Sequence, residues 1–169
     1  MRFLPLVATG LAAATPLAGQ AAELGVTIEI PRLNVAEYHR PYVAIWVERP
    51  DQQAVATLAV WYDVAMRNSE GEKWLKDMRQ WWRRAGRSMT MPADGVSGAT
   101  RAPGRHSQAF TTQLDGLAPG RYALVVEAAR EVGGRELLRI PFQWPPAGPQ
   151  AAAAQGGTEL GAVSLTLKP

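Results

Sequence analysis

"GRYALVVEAAREVGGRELLRIPFQW", residues Gly120 to Trp144, places two runs of strand-forming residues on either side of Val132-Gly133-Gly134. Val, Tyr, Leu and Ile crowd both arms, and the paired glycines supply the turn that folds one arm back onto the other. The stretch therefore predicts an antiparallel hairpin with no helix between its strands. Upstream, "LGVTIEI" (Leu24 to Ile30) alternates as a strand with one buried face does. "YVAIWVE" (Tyr42 to Glu48) and "AVATLAVWYDV" (Ala54 to Val64) are more uniformly apolar, as central strands are, and "RPDQQ" joins them as a hairpin turn.

"SQAFTTQLDG" (Ser107 to Gly116), followed by the turn "LAPG", and "TELGAVSLTLK" (Thr158 to Lys168) complete the set. About seven short strands spaced by turns, without alternating helices, predict an all-β fold, an immunoglobulin-like antiparallel β-sandwich. Between the hairpin and the last strand, "PPAGPQAAAAQGG" (Pro145 to Gly157) is low in complexity and reads as a flexible connector.

One segment departs from the β pattern. Ser69 followed by Glu72 has the spacing of a capping box, and Trp74, Leu75, Met78, Trp81, Trp82 and Ala85 then recur at helical intervals. Arg79, Arg83 and Arg84 gather toward the C-terminal end, where they complement the helix dipole, and Gly86 is a natural stop. The spacing predicts one amphipathic helix from about Glu70 to Ala85, inserted between strands and lying on the sandwich.

The chain has 169 residues. Met1-Arg2, the apolar run from Phe3 to Ala14 and the small residues before Glu23 have the pattern of a secretory signal peptide over residues 1–22, cut after Ala21 or Ala22. That run is shorter than the ~20 apolar residues a membrane-spanning helix needs. The expected working protein is a single domain over residues 23–169, exported to the periplasm and not membrane-spanning after cleavage. Removing Arg2 takes the formal net charge from +3 to +2. So mild a charge, interleaved with acids, does not point to nucleic acid.

There is no cysteine. That excludes disulfides, thiolate metal sites, iron–sulfur clusters and thiol nucleophiles. With only His39 and His106 available, and no paired-histidine spacing, no metal is expected. No pair among Asp63, Asp77, Asp94, Asp115, Glu127, Glu131 and Glu136 has the context of a hydrolase acid and base. Ser97 lacks the nucleophile elbow of acyl-transfer enzymes.

The remaining candidate is "DGVSGATRAPG" (Asp94 to Gly104), in which Ser97-Gly98-Ala99-Thr100 follows the acid Asp94 after a short gap. Gly98 and Ala99 leave room for another protein to close around the backbone, and the segment reads as an exposed polar loop presenting the Thr100 hydroxyl. This run resembles the acceptor motif of proteins that carry FMN covalently. In those proteins an exported, magnesium-dependent FAD:protein FMN transferase links the FMN phosphate to the hydroxyl of the motif's last residue. The resemblance implies FMN on Thr100, with Asp94, Ser97, Gly98 and Ala99 as the recognised motif and Arg101 and Arg105 screening the phosphodiester. Trp81 or Trp82, close to the motif in sequence, is expected to stack on the flavin.

Taken in order, "WYDV", "KWLKDMRQWWRRAG", "DGVSGATRAPGRH", the hairpin and "TELGAVSLT" resemble a family of predicted bacterial periplasmic proteins catalogued as a domain of unknown function. That resemblance implies association with the flavin transferase and with membrane-embedded PepSY-type reductases. The implied role is extracytosolic electron transfer tied to iron acquisition, as a redox carrier rather than a stand-alone enzyme. The alternative is a periplasmic β-sandwich binding or assembly module without cofactor, in which the glycine-rich stretch is a linker and the tryptophans are core.

Overall fold

The computed structural model describes residues 22–169. The signal-peptide reading of residues 1–22 falls almost wholly outside them. Nine strands form among the described residues: β1 (Glu23–Ile30), β2 (Tyr42–Glu48), β3 (Ala54–Tyr62), β4 (Ser97–Ala99), β5 (Gly104–Phe110), β6 (Gly120–Ala129), β7 (Arg135–Trp144), β8 (Gln150–Gln155) and β9 (Ala162–Lys168). They build a four-stranded sheet in the order β5-β1-β9-β8 and a five-stranded sheet in the order β4-β3-β2-β6-β7. The all-β sandwich expected from the sequence is the fold. Every pairing is antiparallel except β3 with β4, which is parallel.

The hairpin that opened the reading is β6-β7, in register from Gly120↔Trp144 to Ala129↔Arg135. Inward-facing side chains from both sheets, among them Leu24, Ile28, Ile45, Trp61, Leu124 and Val163, form the main core. The outer face of the five-stranded sheet is also covered. Tyr42, Ala44, Trp46, Val60, Tyr62 and Val125 pack there against Leu75, Met78 and Trp81. This double coverage explains why β2 is buried at all seven of its positions and why its sequence is apolar up to the closing Glu48 rather than alternating.

The cover is the connection from β3 to β4, and it differs from the expected single helix. A 3-10 segment spans Arg67–Asp77, and a short α-helix, α1, spans Arg79–Arg84. Asn68 and Ser69 hold left-handed backbone angles (φ 55° and 54°), so Ser69 caps nothing and Glu70 instead pairs with Lys73 at 2.6 Å. Leu75 near the end of the 3-10 segment, Met78 at the break after it and Trp81 in α1 all turn toward the sheet.

α1 begins where a buried carboxylate receives it. Glu127 of β6, with no exposed surface, accepts N–H bonds from Gln80 (3.1 Å) and Trp81 (2.8 Å) and pairs with Arg135 at 2.6 Å. The cap that Ser69 was expected to provide locally thus comes from a strand 46 residues away.

A second difference lies in residues 145–157. They contain β8, which lies at a sheet edge and pairs with β9 from Gln150↔Leu167 to Gln155↔Ala162. Main-chain hydrogen bonds to an existing edge order this alanine run, and Ala152 and Ala154 pack on the core. The turn that follows is held by Glu136, whose carboxylate accepts from the N–H groups of Gly157 (2.7 Å), Thr158 (3.0 Å), Glu159 (2.9 Å) and Leu160 (2.9 Å) and from the Thr158 hydroxyl (3.0 Å). Partial burial by itself would raise the Glu136 carboxyl, but these donors outweigh it and hold the group below its ordinary value.

Two predictions follow from these carboxylates. Glu127→Ala leaves two helix N–H groups unpaired inside the protein and is expected to cost roughly 3 kcal/mol in urea unfolding. A loss under ~1 kcal/mol would show that the cap is dispensable. For Glu136 the folded-state value is the depressed one. Its stabilisation is therefore complete above the ordinary carboxylate range and is lost as pH falls through that range toward the folded value. Urea midpoints followed from about pH 6 to about pH 3 should fall less steeply in Glu136→Gln than in the parent; parallel curves would contradict this.

Candidate functional site

Parallel pairing of β4 with β3 decides where the "SGAT" residues lie. Val60↔Ser97, Trp61↔Gly98 and Tyr62↔Ala99 are partners, so the motif forms a three-residue edge strand and not the free loop expected. Main-chain bonding explains the correction: the Val60 N–H reaches the Val96 carbonyl at 2.9 Å and draws the small residues onto the sheet edge. A side chain on Gly98 would meet the Trp61 ring at 3.4 Å, which suits glycine there. Before β4 the chain turns through Gly95 at φ +70°. The Ser97 hydroxyl accepts the Ala93 N–H at 2.9 Å and so serves the turn. Asp94 is exposed at the same turn.

Because β4 runs with β3, both end at the same edge of the sheet. Thr100 follows β4 as Asp63 follows β3, and the Thr100 Oγ1 donates a long, weak hydrogen bond of 3.5 Å to Asp63 Oδ1. Antiparallel β2 starts at this edge and β6 ends there. The convergence leaves a cavity of about 580 Å³ whose wall includes Thr100, Tyr38, Tyr42, Asp63, Trp74 and Arg130. Ligand sites commonly have volumes of roughly 300–1,000 Å³.

The lining combines aromatic surface with hydrogen-bond donors. Trp74 comes from the 3-10 segment and is 49% exposed; Tyr42 packs edge-on against Tyr62, ring centres 6.2 Å apart. Burial pushes the Tyr42 hydroxyl up to about 12, with the Asp63 carboxylate adding to the effect. Burial also raises Tyr38, and Arg130 opposes it. Both phenols therefore stay protonated near neutral pH.

Arg130, with a side chain 6% exposed, grips Glu159 through Nε (2.8 Å) and Nη2 (3.2 Å). That leaves its Nη1, like the Tyr38 hydroxyl, buried with no hydrogen-bond partner among the described residues. Unpaired buried donors are uncommon in a finished interior. This donor set, with the ring of Trp74 and the Thr100 hydroxyl at the same cavity, fits a flavin. Asp63, Asp77 and Glu131 also line the cavity and would repel a phosphodiester on Thr100; all three are exposed, and solvent screens that repulsion.

The two tryptophans expected at the flavin lie elsewhere. Trp81 is fully buried, donates from Nε1 to the Thr57 hydroxyl at 3.2 Å and is so closely packed that a side chain on Gly86 would meet its ring at 2.7 Å. Trp82 is partly buried against the same outer core, 6.2 Å from Trp81 ring to ring. Neither lines the cavity. Arg101 points back over the Trp61 ring, its guanidinium carbon 5.2 Å from the ring centre, and Arg105 lies on β5 near Glu29. Arg40 and Arg130 are the arginines at the cavity instead.

Sequence proximity singled out Trp81 and Trp82 because they are nearest the motif. Trp81, in α1, turns inward, while Trp74, in the 3-10 segment, stands at the opening. Tyr42 starts β2 with Tyr38 just before it in the chain, and Arg130 follows β6 far away in sequence, with no local spacing to connect it to them.

Among the described residues, no helix is long and apolar enough to cross a membrane and no cluster of side chains is suited to a metal ion. Comparison with curated proteins and with solved structures returns no match. The model of one family, described as "Predicted periplasmic protein (DUF2271)", matches residues 23–162. With most of its length covered by that match, the chain belongs to this family and is a periplasmic protein.

Proposed function

We propose that the protein is a periplasmic redox carrier that holds FMN covalently on Thr100 and takes part in extracytosolic electron transfer. The observation that carries the reading is the position of the Thr100 hydroxyl on the wall of a cavity that also presents aromatic rings and unpaired donors. The partner that loads it is an FAD:protein FMN transferase. In that step the Thr100 oxygen bonds to the phosphorus of the FMN half of FAD, AMP leaves, and the hydroxyl proton passes to a base of the transferase.

A membrane-embedded PepSY-type reductase is the electron-transfer partner in this reading, with iron acquisition as the process served. When bound, the flavin supplies the redox chemistry, and the protein contributes position and surroundings. A covalent link keeps the cofactor at high effective concentration in a compartment where a free flavin would be lost by diffusion.

The edge position of β4 bears on how loading happens. A three-residue strand paired on one side only is held weakly enough to be drawn into a transferase cleft; Ser97, Gly98 and Ala99 of the motif make up that strand, and Asp94 lies at the turn before it. The weak Thr100–Asp63 hydrogen bond is released in the same movement.

Coexpression with a flavin transferase in an export-competent host, followed by intact mass, tests the reading. The expected gain is that of FMN less water. Thr100→Ala should abolish it. Ser97→Ala should keep it while costing about 1 kcal/mol of stability, because that hydroxyl serves the Ala93 turn. An unchanged mass in the parent protein sinks the proposal and leaves a binding module without cofactor.

A further inference from the structure

We infer that the cavity beside Thr100 is the non-covalent seat of the flavin ring itself, with Trp74 stacking on the ring and Arg130 Nη1 and Tyr38 Oη donating to its carbonyl edge. The identity of the ring rests on the reading above; the seat rests on the cavity. Three observations converge. The volume of about 580 Å³ suits a fused three-ring system, larger than a lone phosphate requires. Trp74 is among the few large apolar side chains left exposed, at 49%, and it lines the cavity, unlike Trp81 or Trp82.

The third observation is the pair of unpaired donors. Arg130 is locked by its two bonds to Glu159 and lies 6.0 Å from the Tyr38 ring centre, so Nη1 is held in place without a partner of its own. Because Glu159 offsets the guanidinium charge, the pair is matched to a neutral carbonyl acceptor rather than to a free anion. Arg130 is in this sense a binding residue fixed before the ligand arrives. Its two N–H groups and the Tyr38 hydroxyl would select a ring whose rim carries carbonyl oxygens over a purely apolar one, since an apolar rim leaves them unsatisfied.

The test uses the exported protein made without transferase, so that no flavin is attached, and FMN as the probe. Titration should quench FMN fluorescence saturably. Affinity should fall about tenfold in Trp74→Ala, through loss of the stacking surface, and about tenfold in Arg130→Lys, which keeps the charge but not the fork. Tyr38→Phe removes one oxygen and should weaken binding severalfold, so the test stands even where Arg130→Lys upsets the Glu159 pair and fails to fold. The inference is overturned by absence of saturable quenching in the parent, by equal affinity in all folded variants, or by full displacement of FMN with inorganic phosphate, which would mark an anion site. A failed mass gain in the coexpression experiment would leave these binding results untouched.

Discussion

A single buried carboxylate organises the half of the molecule that matters for function. Glu127 lies on the outer face of the five-stranded sheet, where β6 would otherwise present only apolar side chains to the crossing segment. An ionised carboxylate there is tolerable only with close donors, and three converge on it: two N–H groups at the start of α1 and the Arg135 guanidinium. The demand runs both ways. A six-residue helix is too short to form from its own propensity, and its first amides need an acceptor. Sheet and helix therefore each satisfy a group the other cannot leave unpaired. Trp81, directly at the cap, is thereby held against the sheet.

Placing α1 in this way decides where the rest of the crossing segment lies. A parallel pair cannot be joined by a tight turn, so the chain leaving β3 at Tyr62 must travel over the sheet before it can return as β4 beside the same strand. The route covers Tyr42, Tyr62 and Val125 and forms the second core. It also has a positional effect that an antiparallel return would not produce. β3 and β4 end side by side, which brings Thr100 to Asp63, and the start of the crossing segment rises over that same edge carrying Trp74. The cavity is therefore a product of topology, assembled from strand ends rather than from one contiguous stretch.

Much of this fold was legible in the sequence, and the reasons are specific. β2 and β7 run over the residues read as strands from their apolar density and turn boundaries, because a strand buried on one or both faces leaves that signature in composition. The crossing segment was legible as a covering element but not in its geometry. Leu75, Met78 and Trp81 fit three-residue and helical spacing alike, and the choice depends on Glu127, which nothing near Ser69 reveals. β8 was not legible at all. Polyalanine carries no β signal, and the order there comes from the free edge of β9 and from Glu136 holding the turn beyond it.

The acceptor-like motif could be found as a string but not placed. Reading it as a loop followed from its glycines, which are permissive and say nothing about what lies alongside; the Val60 backbone lay alongside and turned it into an edge strand. The same reasoning accounts for the misassigned tryptophans. Nearness in sequence selects neighbours along the chain, while a cavity at a sheet edge selects residues at equal height in different strands. On this sheet those are Tyr42 entering β2, Asp63 leaving β3, Thr100 leaving β4 and Arg130 leaving β6. A search for functional residues in such a sandwich is therefore better directed along one edge of the sheet than along the chain. Arg130 illustrates why. In sequence it is one arginine beside a turn, yet the pairing with Glu159 that fixes it also leaves its remaining nitrogen unused beside the Thr100 cavity.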